Sequence, residues 1–259
     1  DESLFVEDRL HRAFGSWSAQ ASAGARYDRF DTFGSQISPR IAVALASGAN
    51  RFRAAWGEAF RAPSINELYS PFGGNRDLQP ERTRNAEAGF DRAFGASRFS
   101  ATLFRADYRD LITNSGFVFA NVGHARSRGA ELSLERDFAA RVYGLASYTF
   151  ADTKQTETGR ALLRRPRHSG SLVLGTHRGA LDANADFTFL GRRADVQPVA
   201  PFGRTTAPPY ATLDLNLQFH AGRSVPFLKI ENATDRRYQE VAGYPSPRRR
   251  VIAGLRFTI

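Results

Sequence analysis

Ala211-Thr212-Leu213-Asp214-Leu215-Asn216-Leu217-Gln218-Phe219 alternates apolar and polar residues without a break. Side chains on a strand point to opposite faces with period two, so this segment has one greasy and one wet face. Leu181, Ala183, Ala185, Phe187 and Phe189 alternate in the same way with Asp182, Asn184, Asp186 and Thr188. The final run pairs Val251, Ala253, Leu255, Phe257 and Ile259 against Gly254, Arg256 and Thr258. Shorter versions lie at Trp17, Ala19, Ala21 and Ala23, at Phe52, Ala54 and Trp56, and at Ala130, Leu132 and Leu134. The period alone leaves open whether the greasy face meets a second sheet or lipid.

The connections between these segments decide the matter. Short ones fall near 12–15, 47–50, 95–97, 138–141, 177–180 and 221–224. Between them come longer polar or Pro/Gly-rich stretches near 28–35, 61–82, 110–123, 152–165, 191–208 and 232–248. A water-soluble sandwich has no reason to place every long loop at one end. Tight turns at one end, long loops at the other and dyad-repeat strands of about ten residues describe an outer-membrane β-barrel. The expected fold is therefore all-β: an antiparallel up-and-down transmembrane β-barrel. About 13 strands are predicted, near 3–11, 15–27, 36–46, 51–60, 84–94, 98–109, 124–136, 141–151, 167–176, 180–190, 209–219, 225–231 and 249–259.

Composition agrees with that reading. No apolar run approaches the roughly 18 residues of a membrane helix, and the mean hydropathy is −0.41. Barrels cross membranes with such values because half of each strand faces a polar lumen. The absence of cysteine rules out a disulfide framework or thiol chemistry. A formal charge of +10 raises the question of nucleic acid, but the basic residues are nearly all arginine, with only Lys154 and Lys229 as lysines. They are scattered through turns and strand ends rather than gathered on one face among aromatics, so no nucleic-acid partner is expected. The densest basic patches, Arg248-Arg249-Arg250 and the run 162–168, lie beside long loops, where they are either solvated charge or an attraction for an anionic ligand or lipopolysaccharide. His11, His124, His168, His177 and His220 sit in separate connections or strand ends, so no metal or other cofactor is expected. No catalytic constellation is visible, and the expectation is that the protein is not an enzyme.

Three motifs carry a family resemblance. The first is Phe60-Arg61-Ala62-Pro63-Ser64-Ile65-Asn66-Glu67-Leu68-Tyr69, followed by Gly74-Asn75-Arg76-Asp77-Leu78-Gln79-Pro80-Glu81. The second is Asn121-Val122-Gly123-His124-Ala125, continued by Gly129-Ala130-Glu131-Leu132. The third is Ile230-Glu231-Asn232-Ala233-Thr234-Asp235-Arg236-Arg237-Tyr238, with Gly243-Tyr244-Pro245 after it. In this order they resemble the β-barrel of TonB-dependent outer-membrane receptors, and the resemblance covers essentially the whole chain. Leu162-Leu163-Arg164-Arg165-Pro166-Arg167-His168 is most similar to the vitamin B12 (cobalamin) receptor branch. The motifs also have plain physical work. Pro63 and Pro80 mark where strands stop around a long loop. Gly123 and Gly129 suit a strand entry with strained dihedrals or a close backbone approach. Asn232 and Asp235 can fold onto nearby amides to make a turn.

The resemblance implies a barrel of 22 strands around an N-terminal plug. On that expectation residues 1–259 are the C-terminal portion of the barrel, the last 13 of 22 strands, with plug domain and TonB box not present. It further implies uptake of a scarce large ligand, with TonB pulling on the plug. Cobalamin is favoured, with an iron siderophore or haem next. The alternative is a passive porin or a structural or adhesive barrel. Implied partners are outer-membrane lipid and lipopolysaccharide, the protein's own plug, and TonB through that plug. The closing Gly254-Leu255-Arg256-Phe257-Thr258-Ile259 resembles the signal read by the barrel-assembly machinery, departing from it by ending in Ile. Large ligands are gripped by aromatic and arginine side chains on long outer loops. The candidates are Tyr69 and Phe72, Phe117 and Phe119, and Tyr244 with Arg248, with Tyr69 and Tyr244 open equally to a place in the interfacial aromatic girdle.

Overall fold

A computed structural model describes residues 2–114, 118–138, 141–200 and 202–257. Fifteen strands follow one another: β1 (Glu2–Phe14), β2 (Trp17–Phe30), β3 (Gly34–Ser47), β4 (Asn50–Arg61), β5 (Glu81–Phe94), β6 (Ser97–Asn114), β7 (Phe119–Phe138), β8 (Val142–Gln155), β9 (His168–Arg178), β10 (Leu181–Leu190), β11 (Arg193–Val196), β12 (Arg204–Ala207), β13 (Tyr210–Phe219), β14 (Ser224–Glu231) and β15 (Arg250–Phe257). One short helix, α1 (Ile65–Tyr69), lies between β4 and β5. Thirteen strands form one sheet in chain order, with β11 and β12 set apart as a hairpin of their own. All thirteen expected strands are present. The hairpin β11–β12, inside a stretch read as a plain loop, is an addition to them.

Short turns hold the sheet at one end. Four strand pairs are joined there by two residues of which the first is glycine in the left-handed region, as at Gly48 (φ 53°) and Gly179 (φ 62°). A glycine first and a negative φ second is the type II′ combination, whose twist matches that of the flanking strands. At the opposite end two of the stretches expected to be long loops are mostly strand. Only residues 31–33 separate β2 from β3, and β6 runs on to Asn114 before β7 resumes at Phe119. The polar residues there extend the ladder instead of leaving it. Strand β7 has 20 residues, about twice the 9–11 that cross a bilayer. The four remaining connections, 62–80, 156–167, 191–209 and 232–249, are long.

The chain divides into two compact units, one of Asp1–Asp91, Thr102–Gly129 and Asp152–Ala161, the other of Arg92–Ala101, Ala130–Ala151 and Leu162–Ile259. In the first, cross-strand partners set Leu10, Ala21, Val43 and Ala54 in one apolar row. In the second, Leu174, Ala185, Leu215, Ile230 and Val251 form such a row, with Ala183, Leu217, Leu228 and Ala253 beside it. On the other face Asn184 and Asn216 both donate to Asp186, at 2.9 and 3.2 Å. None of the described residues of this chain covers the greasy rows: Leu172, Leu174, Leu215 and Leu217 are exposed, as are Leu10 and Val43 in the first unit. Among the described residues only eight hydrophobic side chains are buried. A water-soluble chain of this length buries a core, whereas a membrane sheet presents its greasy face to hydrocarbon and keeps its backbone bonds between strands.

Leu215→Arg is accordingly expected to cost about 2–4 kcal/mol in a lipid refolding titration, and Asn216→Arg clearly less. Equal losses would mean that the two faces are assigned the wrong way round.

Candidate functional site

The long connections are folded, and polar residues hold them. In the first unit, α1 begins with a capping box: Glu67 N donates to Ser64 Oγ at 3.3 Å and Ser64 N donates to Glu67 Oε2 at 2.7 Å. Each satisfies an otherwise orphaned amide at the helix start. Gly74 closes the far end, where its N–H donates to Ser70 O at 2.8 Å. A Cβ there would meet Ser70 N at 2.5 Å, so no larger residue fits. Leu68 and Leu78 pack with Ile112 in a small buried cluster bordered by Phe33 and Phe119. Asn121 stitches this connection to the β6–β7 hairpin. Its Oδ1 accepts from Gln79 N at 2.8 Å, and its Nδ2 donates to Gln79 O at 2.9 Å and Asp110 O at 2.5 Å. Gly123 leaves room for the Glu157 carboxylate, which accepts from His124 N at 2.6 Å. What approaches Gly123 is therefore a side chain from another connection and not the backbone expected, and its φ is not in the left-handed region.

Charge fixes the base of α1. Arg61 Nη1 lies 3.0 Å from Glu67 Oε2 and its Nε 2.6 Å from Glu81 Oε2. Arg61, opposed by burial and helped by the Ser64 amide, holds the Glu67 carboxyl down to about 2.

In the second unit three stretches meet at the hairpin β11–β12. Asp195 is fully buried and accepts from Val196 N at 2.9 Å, Ala242 N at 2.8 Å and Arg164 Nε at 3.0 Å. Burial pushes its carboxyl up, but the two amides and the guanidinium outweigh that and hold it below the usual aspartate value. Arg193, also buried, donates to Gln239 O at 2.5 Å and Glu240 O at 2.8 Å. Its guanidinium sits over the Tyr210 ring, which stacks on Tyr238 at 4.4 Å. Asn232 makes the expected turn after β14, with φ 47°, its Oδ1 accepting from Arg236 N at 2.9 Å. Asp235 accepts from Arg249 N at 3.0 Å and from Arg248 Nε at 2.8 Å, and Arg248 holds its carboxyl down to about 2.

The candidate ligand residues fall into these two groups. Phe72 is 87% exposed, and Tyr69 carries Arg76 over its ring at 5.1 Å. Phe119 packs against the buried cluster, and its N–H donates to Gly73 O at 2.8 Å, next to Phe72. Phe117 lies outside the described residues. In the second unit Tyr244 is exposed, whereas the Arg248 guanidinium is engaged with Asp235. Two residues that periodicity did not single out belong beside them: Val199 and Phe202, exposed in the connection between β11 and β12.

Comparison with known proteins places this arrangement. A family described as TonB dependent receptor-like, beta-barrel matches residues 1–233. The vitamin B12 transporter BtuB of Vibrio cholerae is 27% identical over 242 residues, covering 90% of this chain and 38% of that protein. The siderophore receptor PirA of Acinetobacter baumannii superimposes with a TM-score of 0.82 at 21% identity, over 98% of this chain and 45% of that one. FpvA of P. aeruginosa, solved bound to pyoverdines, gives 0.77 at 14% identity, over 98% and 38%. The likeness to the solved receptors shows a shared fold, and this chain spans less than half the length of each of these three relatives.

The first connection yields a pH prediction. Glu67 has a depressed pKa, so its contribution is complete above its ordinary value of 4.5 and fades as pH falls through about 2. Protection of residues 62–80 from hydrogen exchange should stay constant from pH 7 to 4.5 and decline below that. Glu67→Gln should remove that decline and loosen the connection already at pH 7. A wild-type connection that opens between pH 7 and 5 would contradict this account.

Proposed function

We propose that this chain, which belongs to the TonB-dependent receptor-like β-barrel family, serves energy-coupled uptake of a scarce large ligand across the bacterial outer membrane, with cobalamin favoured. The family is one of receptors and transporters. The observation that carries the cobalamin reading is the identity to the vitamin B12 transporter along 90% of the chain. An iron siderophore is the second reading, favoured by the likeness to PirA and FpvA.

No covalent chemistry is required of such a protein. In this proposal the whole chain belongs to the barrel wall. Its greasy rows meet lipid hydrocarbon, with lipopolysaccharide around the outer rim, and its wet face meets a plug. TonB acts through that plug, the two-state element whose equilibrium the energy input biases. The barrel-assembly machinery reads the last strand. Ligand meets the long connections first, at Tyr69 and Phe72 in one unit and Tyr244 in the other. Because these connections are held by capping and buried polar contacts, their aromatic side chains are presented at little further entropic cost.

Titration of the protein purified from outer membranes with cyanocobalamin, and in parallel with a ferric catecholate siderophore, tests the reading. Saturable cobalamin binding is expected. Phe72→Ala should weaken it by at least about 1 kcal/mol without changing barrel melting. Binding of the siderophore alone would transfer the function to the second reading, and binding of neither would overturn both.

A further inference from the structure

We infer that Asp195 is a latch that fastens residues 162–167, the described residues of 191–200 and 202–209, and residues 232–249 into one body that opens and closes as a single unit. The carboxylate is the shared acceptor of all three: Arg164 reaches it from the first, Val196 N from its own stretch and Ala242 N from the third. A second set of bonds runs the same way. Arg164 N donates to Ala194 O at 2.7 Å, and Arg193 donates into the last stretch at Gln239 O and Glu240 O. Pro198 lies where a side chain on Gly243 would stand, so the β11–β12 connection and the last stretch touch directly as well.

Burial makes the coupling cooperative. A buried carboxylate that loses one donor while still shielded from water is left undercompensated, and the cost is far larger than that of a surface bond. Peeling one stretch away therefore strands the charge, whereas releasing all three admits water to it. Opening loop by loop is disfavoured and opening together is not. The exposed Val199, Phe202 and Tyr244 ride on this body, so whatever approaches the outer end meets them in fixed relation. The inference rests on geometry alone and stands independently of which ligand is taken up.

Hydrogen exchange on the protein purified from outer membranes, in detergent, tests it with two variants. Asp195→Asn keeps the shape but removes the charge and turns donors toward donors. Peptides containing Arg164, Val196 and Ala242 should all exchange faster by a similar factor, at least about tenfold, with β9, β10 and β13 unchanged. Arg164→Gln removes one bond and touches neither Val196 nor Ala242, yet it should speed exchange at both. Acceleration confined to 193–207 in the first variant, or to 162–167 in the second, would overturn the latch. If Asp195→Asn does not accumulate, the Arg164→Gln result alone decides.

Discussion

Everything in this chain depends on one requirement: a sheet whose greasy face meets hydrocarbon must satisfy its backbone polar groups within its own ladder. In water the exposed leucine rows at Leu174, Leu215 and Leu217 would draw a second layer or aggregate. In hydrocarbon they are the stable arrangement, provided that each strand is paired and each turn is tight. The glycine-led turns and the uninterrupted registers meet that proviso for the strands they join, while β1 and β15 are each paired on one side within this chain. Family membership and the superposition on the siderophore receptor PirA agree with it.

The wet face and the outer end carry the polar chemistry, and arginine does most of it. On the wet face of the first unit Arg40 pairs with Glu7 across Gly24, and Arg53 lies over Gly89 to reach Asp91 at 3.2 Å. On the opposite face, in line with Leu103, Arg105 and Arg126 share Asp107, at 2.7 and 2.6 Å. A planar guanidinium satisfies two acceptors in fixed geometry, which a lysine ammonium does not. That explains a basic chain with only two lysines. At the end with the long connections Arg193 works buried, and the half-exposed Arg164 works against the buried Asp195, turning these connections into folded bodies. A connection so held can carry exposed aromatic side chains without losing their positions.

Strand number and faces were readable because period two and turn chemistry are local signals. All thirteen sheet strands are legible, and Leu215 and Asn216 fall on opposite faces, as their alternation predicts. Strand length was not readable. Beyond the lipid the greasy face no longer needs to be greasy, so the alternation fades at 28–35 and 110–123 while the hydrogen bonds continue. The hairpin β11–β12 was missed for a related reason: Arg193-Ala194-Asp195-Val196 buries two charged residues, which no hydrophobic pattern announces. Some signals were available and went unread. Ser64-Ile65-Asn66-Glu67 spells a capping box, and Gly48-Ala49 and Gly179-Ala180 spell the glycine-first hairpin turn. The outer site was legible as aromatic residues in long loops, but Phe119 shows the limit of that reading, since its packing against Leu68, Leu78 and Ile112 comes from contacts far apart in sequence.

The central claim is a sheet that crosses the outer membrane with its long connections outside. Single cysteines placed at Phe72, Thr158 and Phe202, and at Ala49 and Ala180, test it when whole cells are treated with a membrane-impermeant thiol reagent. The account predicts labelling of the first three on intact cells and of the last two only after the outer membrane is opened. Labelling of Ala49→Cys and Ala180→Cys on intact cells, with the long connections protected, would contradict it.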